Sequence, residues 1–172
     1  MTWRCSGRSN ARCHRDGSAV ASRLIIVCGL PGSGKTTRAK ELETRHGAVR
    51  LSPDEWMDAL GIDLWDEARR AGVEALQWQL ARQLLARGLT VIIEWGTWGR
   101  SERDRLRTQA RALGANVELH YLSATVDELL ERVQRRGMES PPITREALLG
   151  WMQIFQAPTP DEVALFDAPT PV

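Results

Sequence analysis

The segment Gly29-Leu30-Pro31-Gly32-Ser33-Gly34-Lys35-Thr36 constrains this chain more than any other. It matches the pattern G-x-x-x-x-G-K-S/T at every fixed position. The preceding residues, 23–28, form a short apolar, β-branched run suited to a strand buried on both faces. The following residues, Lys35 to about His46, carry a helical pattern. A strand, a glycine turn and a helix in that order aim backbone N–H groups and a helix N-terminus at one spot. An anion, and above all a phosphate, is the ligand such a cradle suits. Gly29, Gly32, Ser33, Gly34, Lys35, Thr36 and Thr37 are therefore predicted to contact a nucleotide's phosphates. Lys35 reaches the β- and γ-phosphates, and the Thr36 hydroxyl ligates Mg²⁺. Lysine is scarce here, with only Lys35 and Lys40 against 21 arginines, so a compact ammonium at position 35 reads as a requirement.

The rest of the chain alternates strands and helices. Residues 48–51, 89–93 and 117–122 read as three further strands, and residues 163–166 as a short fifth strand or a turn. Ser52-Pro53-Asp54 has the character of a helix start. A long helical pattern from about Asp66 to Arg87 places Val73, Leu76, Leu80 and Leu84 on one stripe, with Gly88 as a stop. Another helix begins at Ser101. Thr125 with Glu128 has capping-box spacing ahead of a helix to about Arg136. Residues 137–143 form a Gly/Pro loop, and a last helix runs from Thr144 to about Phe155. Such alternation predicts an α/β fold with helices on both faces of a parallel sheet. The 172 residues leave no room for a second domain.

Composition narrows the class. Hydrophobic residues are 42% and charged residues 26%, ordinary for a globular domain, and the net charge is +1. That balance argues against broad electrostatic capture of nucleic acid or an anionic membrane. No apolar run approaches the ~18 residues of a membrane span. Residues 1–22 hold four Arg and one Asp, so this basic head sits on an acidic body. The head has no apolar stretch of the ~7–15 residues a secretory signal needs. The expectation is a disordered extension at 1–22, a domain over 23–172 with an irregular Pro-rich tail, and a cytoplasmic location. Cys5, Cys13 and Cys28 are an odd count that fits no disulfide framework, and Cys5, Cys13 and His14 match no zinc spacing.

Several residues are candidates for the chemistry beside the phosphates. Asp54 follows the second strand, so its carboxylate should face the crevice at the strands' carboxyl ends. There it could orient an acceptor hydroxyl and take its proton, or it could simply favour the helix start. Glu94 ends the third strand and is a candidate for a Mg²⁺-bound water, for substrate, or for a structural hydrogen bond. Trp95, Trp98 and Arg100 follow at the same rim, as an aromatic substrate wall or as core. Arg132 and Arg136, four apart on one helix face, precede the Gly/Pro loop. They could close over the phosphates as part of a lid or form a solvated basic face, and Arg135 is adjacent on another face.

GLPGSGKTT, LSPDEW, VIIEWG, ERVQRR and IFQAPTPDE together resemble small P-loop kinases of the zeta-toxin/polynucleotide-kinase-like group, within it the bacterial "AAA family ATPase" proteins. The resemblance covers about residues 23–166. It implies a three-layer α/β/α P-loop fold of kinase type, with a central parallel sheet of about five strands and a short lid. It implies ATP and Mg²⁺ as cofactors, since no guanine-reading N-K-x-D segment is present. It carries over Lys35 and Thr36 as phosphate and Mg²⁺ residues, Asp54 as general base, and Arg132 and Arg136 as lid arginines. Two departures stand out. Polynucleotide kinases of the group carry an Arg three residues after the base, where this chain has Met57, and the third-strand acid is Glu94 rather than Asp. The leading expectation is transfer of the ATP γ-phosphate to a hydroxyl of a small molecule of antibiotic, nucleoside or sugar type. A polynucleotide 5′-hydroxyl kinase and a nucleotide-binding switch without an acceptor are the alternatives.

Overall fold

The computed structural model describes residues 21–137 and 141–169. Most of the predicted head, with Cys5, Cys13 and His14, and residues 138–140 of the Gly/Pro loop lie outside them. Eleven elements follow one another: β1 (Arg23–Cys28), α1 (Lys35–His46), β2 (Val49–Leu51), α2 (Pro53–Ala59), α3 (Glu67–Leu85), β3 (Thr90–Ile93), α4 (Arg100–Arg111), β4 (Asn116–Tyr121), α5 (Val126–Arg136), α6 (Arg145–Ile154) and α7 (Pro160–Val163). The four strands form one parallel sheet in the order β2-β3-β1-β4. β1 is central, and Leu24 through Cys28 are wholly buried.

Strand alternation divides the core. On one face Leu24, Ile26 and Cys28 meet Val91, Ile93 and Val117 under Ala81 and Leu85 of α3 and Leu106 and Ala110 of α4. On the other, Ile25, Val27 and Ile92 lie under Ala39 and Leu42 of α1. Each fully buried aliphatic side chain contributes about 1.5–3 kcal/mol. A third cluster, Leu30, Leu129, Val133, Ile143, Leu148 and Phe155, packs α5 and α6 onto the turn after β1.

Two sequence expectations change. The described residues hold four strands, not about five. Thr159 accepts from the Glu162 N–H and Pro160 opens a helix, so residues 160–163 are helical. Phe166 then turns into the core, and Asp167 bonds Val117 through its N–H (2.8 Å) and its carboxylate (2.6 Å). The stripe of α3 is also rotated from the expected one: its buried residues are Val73, Gln77, Ala81 and Leu85, while Leu76 is 59% exposed. Choosing the most apolar residues missed Gln77, which is buried because it accepts a hydrogen bond from Trp95 Nε1 at 2.8 Å.

Candidate active site

The turn between β1 and α1 is fixed by what cannot fit there. A Cβ on Gly29 would come within 2.5 Å of the Leu122 carbonyl oxygen, and one on Gly32 within 2.8 Å of the Leu129 carbonyl oxygen. The second contact shows that the turn is built against helix α5. Gly34, the N-cap of α1, has φ of 96°, a conformation that glycine adopts without strain. The first turn of α1 holds no acid and its last turn holds Arg45 and His46, so the positive end of the dipole is left for an anion.

Lys35 donates from Nζ to the carbonyl oxygens of Gly29 (2.9 Å) and Leu30 (3.0 Å), within the cradle itself. Burial pushes its pKa down to about 8, opposed mainly by Asp54 and Glu94. Both candidate acids therefore act on the phosphate-loop ammonium. Thr36 and Thr37 are exposed at the mouth of the loop. Beside them, Ser33, Gly34, Thr37, Arg38, Glu41, Leu122 and Arg132 line an open groove. Arg132 lies against the loop, its Nη1 3.5 Å from the Gly32 carbonyl oxygen. Arg136 also acts on Lys35, lowering its pKa. Arg135, on the other face, pairs with Glu131.

Asp54 sits in the first turn of α2 and accepts from Arg70 Nη1 of α3 at 2.7 Å. Its side chain is 64% exposed. Glu94 differs sharply, with a side chain 2% exposed. Its Oε1 accepts from Arg50 Nη1 at 2.5 Å, and its buried Oε2 has no hydrogen-bond partner among the described residues. That orphaned anionic oxygen, with the exposed Thr36 hydroxyl, fits Mg²⁺ or one of its waters. Among the described residues no group of three or more His, Cys, Asp or Glu could hold a metal. A Mg²⁺ ion here would draw its remaining ligands from phosphate and water.

The rim after β3 separates the other candidates. Trp95 is core, 3% exposed, with Trp78 edge-on at 6.4 Å. Trp98 is half-buried against Trp151 (6.1 Å) and Phe155 (6.2 Å), and Trp151 in turn faces Trp65 of the α2–α3 loop at 6.3 Å. Arg100 is exposed at the start of α4, its Nε 3.7 Å from Asp104. Met57 is fully buried, so position 57 offers no exposed cation beside Asp54.

Three arginines that the sequence reading passed over organise this region. Arg50 binds Glu94, and Arg70 binds Asp54. Arg103, with no exposed side-chain surface, holds both Glu162 carboxylate oxygens (2.6 and 2.9 Å) and the carbonyl oxygens of Thr97 (2.9 Å) and Gln156 (2.7 Å). The available signal was a charged side chain inside an otherwise apolar strand for Arg50, and the i, i+3 position next to Leu106 in α4 for Arg103.

Comparison with known proteins agrees with this geometry. Residues 24–158 match the family model AAA_33, described as an AAA domain. An uncharacterized protein of Mycobacterium tuberculosis is 30% identical over 141 residues, covering 72% of this chain and 28% of the relative. The L-seryl-tRNA(Sec) kinase of Methanococcus maripaludis is 26% identical over 142 residues, covering 78% of this chain and 53% of the relative. The chain thus spans only about a quarter to a half of the length of these relatives. The solved structure of a sugar kinase from Janibacter superposes with a TM-score of 0.59 at 24% identity, covering 81% of each chain, a likeness of fold. A match over residues 24–158, around a parallel sheet whose first strand feeds a GLPGSGKT turn, makes this chain a member of the AAA_33 family with a P-loop kinase-like fold.

Proposed function

We propose that this domain transfers the γ-phosphate of ATP to a hydroxyl of a small molecule. The observation that carries the reading is that Asp54, in the first turn of α2, and Glu94, just after the β3 strand beside β1, both act electrostatically on Lys35 of the phosphate loop. Lys35 leaves its two carbonyl partners to meet the β- and γ-phosphates. Glu94 and Thr36 would hold Mg²⁺, which neutralises charge on the phosphates. Asp54, exposed enough to meet a diffusing acceptor, orients the hydroxyl and accepts its proton. Arg132 and Arg136 balance charge from the α5 side. Trp98 and Arg100 shape the rim on the acceptor side. The test is ADP formation with ATP, Mg²⁺ and a panel of sugars, nucleosides and aminoglycosides. Asp54→Asn should lower the transfer rate by about 10²-fold or more, leaving ATP affinity nearly unchanged. Full transfer by Asp54→Asn would end the base assignment.

A nucleic-acid acceptor is the second reading, favoured by the likeness to a seryl-tRNA kinase. The buried Met57 speaks against it, because position 57 offers no substrate-facing cation. Salt-dependent binding of RNA or DNA oligonucleotides, competing with transfer to small acceptors, would decide for it. Tight ATP binding with no ADP formed from any acceptor would instead favour a nucleotide switch.

A further inference from the structure

We propose that Arg50 is a positioning residue that orients the Glu94 carboxylate and couples it to the turn carrying Asp54. This rests on the reading of Glu94 as a Mg²⁺-side acid. Arg50 stands in β2 opposite Ile92 of β3. Side chains two apart on a strand share a face, so Ile92 and Glu94 point the same way, and Arg50 shares that face across the ladder. This is the α1 face, where Ile92 packs on Ala39 and Leu42. An arginine placed there meets Glu43 of α1 at one end and Glu94 at the other.

The guanidinium uses each nitrogen on a different carboxylate. Nε donates to Glu43 (3.1 Å), Nη2 to Glu55 (2.7 Å) and Nη1 to Glu94 (2.5 Å). The Arg50 side chain is only 8% exposed, so its contact with the buried Glu94 is made away from solvent. Three carboxylates around one cation leave a surplus of negative charge. Glu43 and Glu55 are 39% and 48% exposed, and water screens them. Glu55 also has Lys40 at 3.4 Å. Glu94 is buried, with a side chain 2% exposed, and its Oε2 has no hydrogen-bond partner among the described residues. Arg50 thus fixes Oε1 and leaves Oε2 as the oxygen that a Mg²⁺ ion or its water would use. A planar fork can hold three acids in fixed directions, and a lysine cannot. Glu55 is the neighbour of Asp54 in the first turn of α2, so the same side chain ties that turn to the end of β3.

The experiment measures binding of the ATP analogue AMP-PNP to the full chain by titration calorimetry, with Mg²⁺ and with EDTA. The variants are Arg50→Met, Arg50→Lys, Glu94→Gln and the double variant Arg50→Met/Glu94→Gln. Ligands that orient a metal-site residue typically change metal affinity about 10–100-fold, and Arg50→Met should weaken AMP-PNP by about tenfold with Mg²⁺ and hardly at all with EDTA. The double variant should bind no more weakly than Glu94→Gln alone, because Arg50 acts through Glu94. Arg50→Lys keeps the charge and should fold where Arg50→Met does not, yet still lose part of the Mg²⁺ dependence. Equal losses with and without Mg²⁺, or losses that simply add in the double variant, would overturn the proposal. So would full Mg²⁺ dependence in Arg50→Lys. None of these outcomes depends on transfer, so absence of ADP formation by the wild type would count against the proposed function and not against Arg50.

Discussion

The two ends of the candidate site are built differently. The phosphate end is made by neighbours in sequence: residues 29–36 supply the turn, the helix N-terminus and the ammonium, and two glycines are fixed by backbone atoms within 3 Å of a hypothetical Cβ. The end proposed to receive an acceptor is made by residues far apart in sequence. Asp54 meets Arg70, Glu94 meets Arg50, and the loop of Thr97 and Trp98 is held by Gln156 and Arg103. Anion binding is a backbone property that a local motif can carry whole, whereas recognition of an acceptor needs side chains that only tertiary structure assembles.

Cutting the long-range clamp gives the largest expected effect. Thr97 is the one non-glycine residue with positive φ among the described residues, at 35°. Such a backbone persists where its surroundings over-determine it. Here Arg103 binds its carbonyl, the Trp98 carbonyl accepts from Gln156 N–H at 2.9 Å, and the Arg100 N–H donates to Gln156 Oε1 at 2.8 Å. Arg103→Met leaves Glu162 buried and unpaired. Removing one partner of a buried ion pair costs about 3–5 kcal/mol. Thermal unfolding should show a large drop in Tm, with AMP-PNP binding retained in the cold. Loss of nucleotide binding in the folded variant would show that the two ends are not separable.

Lys35→Met attacks the other end and should act on function rather than fold. Loss of one preorganised donor to developing charge typically costs about 10²–10³ in rate, and ATP turnover should fall by at least that. The depressed pKa of Lys35 adds a pH signature. Its folded value of about 8 lies below the ordinary 10.5, so the unfolded chain binds more protons between the two. Stability of the free protein should therefore rise from pH 8 toward 10.5, while ATP affinity falls over the same range as the ammonium is lost. Lys35→Met should remove both trends. If stability and affinity moved in the same direction with pH, the assignment of the titrating group would be wrong.

Legibility in the sequence follows the same division. The phosphate loop, α1 to the residue, and the Thr125–Glu128 capping box were all readable, because each is decided within a few residues. The parallel sheet with helices on both faces followed from alternation, whereas the strand order β2-β3-β1-β4 was not legible in it. The pairing of Arg50 with Glu94, Arg70 with Asp54 and Arg103 with Glu162 was not readable, since these acids lie 44, 16 and 59 residues away. With 21 arginines in the chain, composition could not single them out. Of the two readings of residues 163–166, strand or turn, the turn holds for a local reason, as the Thr159 cap and Pro160 open a short helix that leads into it. Trp95 and Trp98 were left open between wall and core, and the structure divides them: Trp95 is core, and Trp98 is half-buried at the rim.

The smallest expected effect sharpens the contrast most finely, because it concerns a buried acid on the side opposite the phosphate loop's buried ammonium. Glu74 of α3 is half-buried, and burial raises its pKa to about 7, helped by Glu102 and by Asp54 against the pull of Arg70. Glu102 of α4 is raised in the same direction, again by burial. Above pH 7 the folded protein must keep Glu74 charged beside other acids, a condition that the unfolded chain escapes. An acid whose folded pKa exceeds its unfolded value loses stability as pH climbs through that interval. Glu74→Gln removes the charge and keeps the shape. It should raise Tm at pH 8 by a few degrees at most, corresponding to about 1 kcal/mol or less for a group partly screened by water, and leave Tm at pH 4 unchanged. The charged groups that act on Glu74 are Glu102, Arg70, Asp54 and Arg105, so AMP-PNP affinity should hardly move, whereas affinity for an acceptor held at Asp54 should. A Glu74→Gln variant that altered nucleotide binding and left the acceptor untouched would place these acids on the wrong side of the division between the two ends.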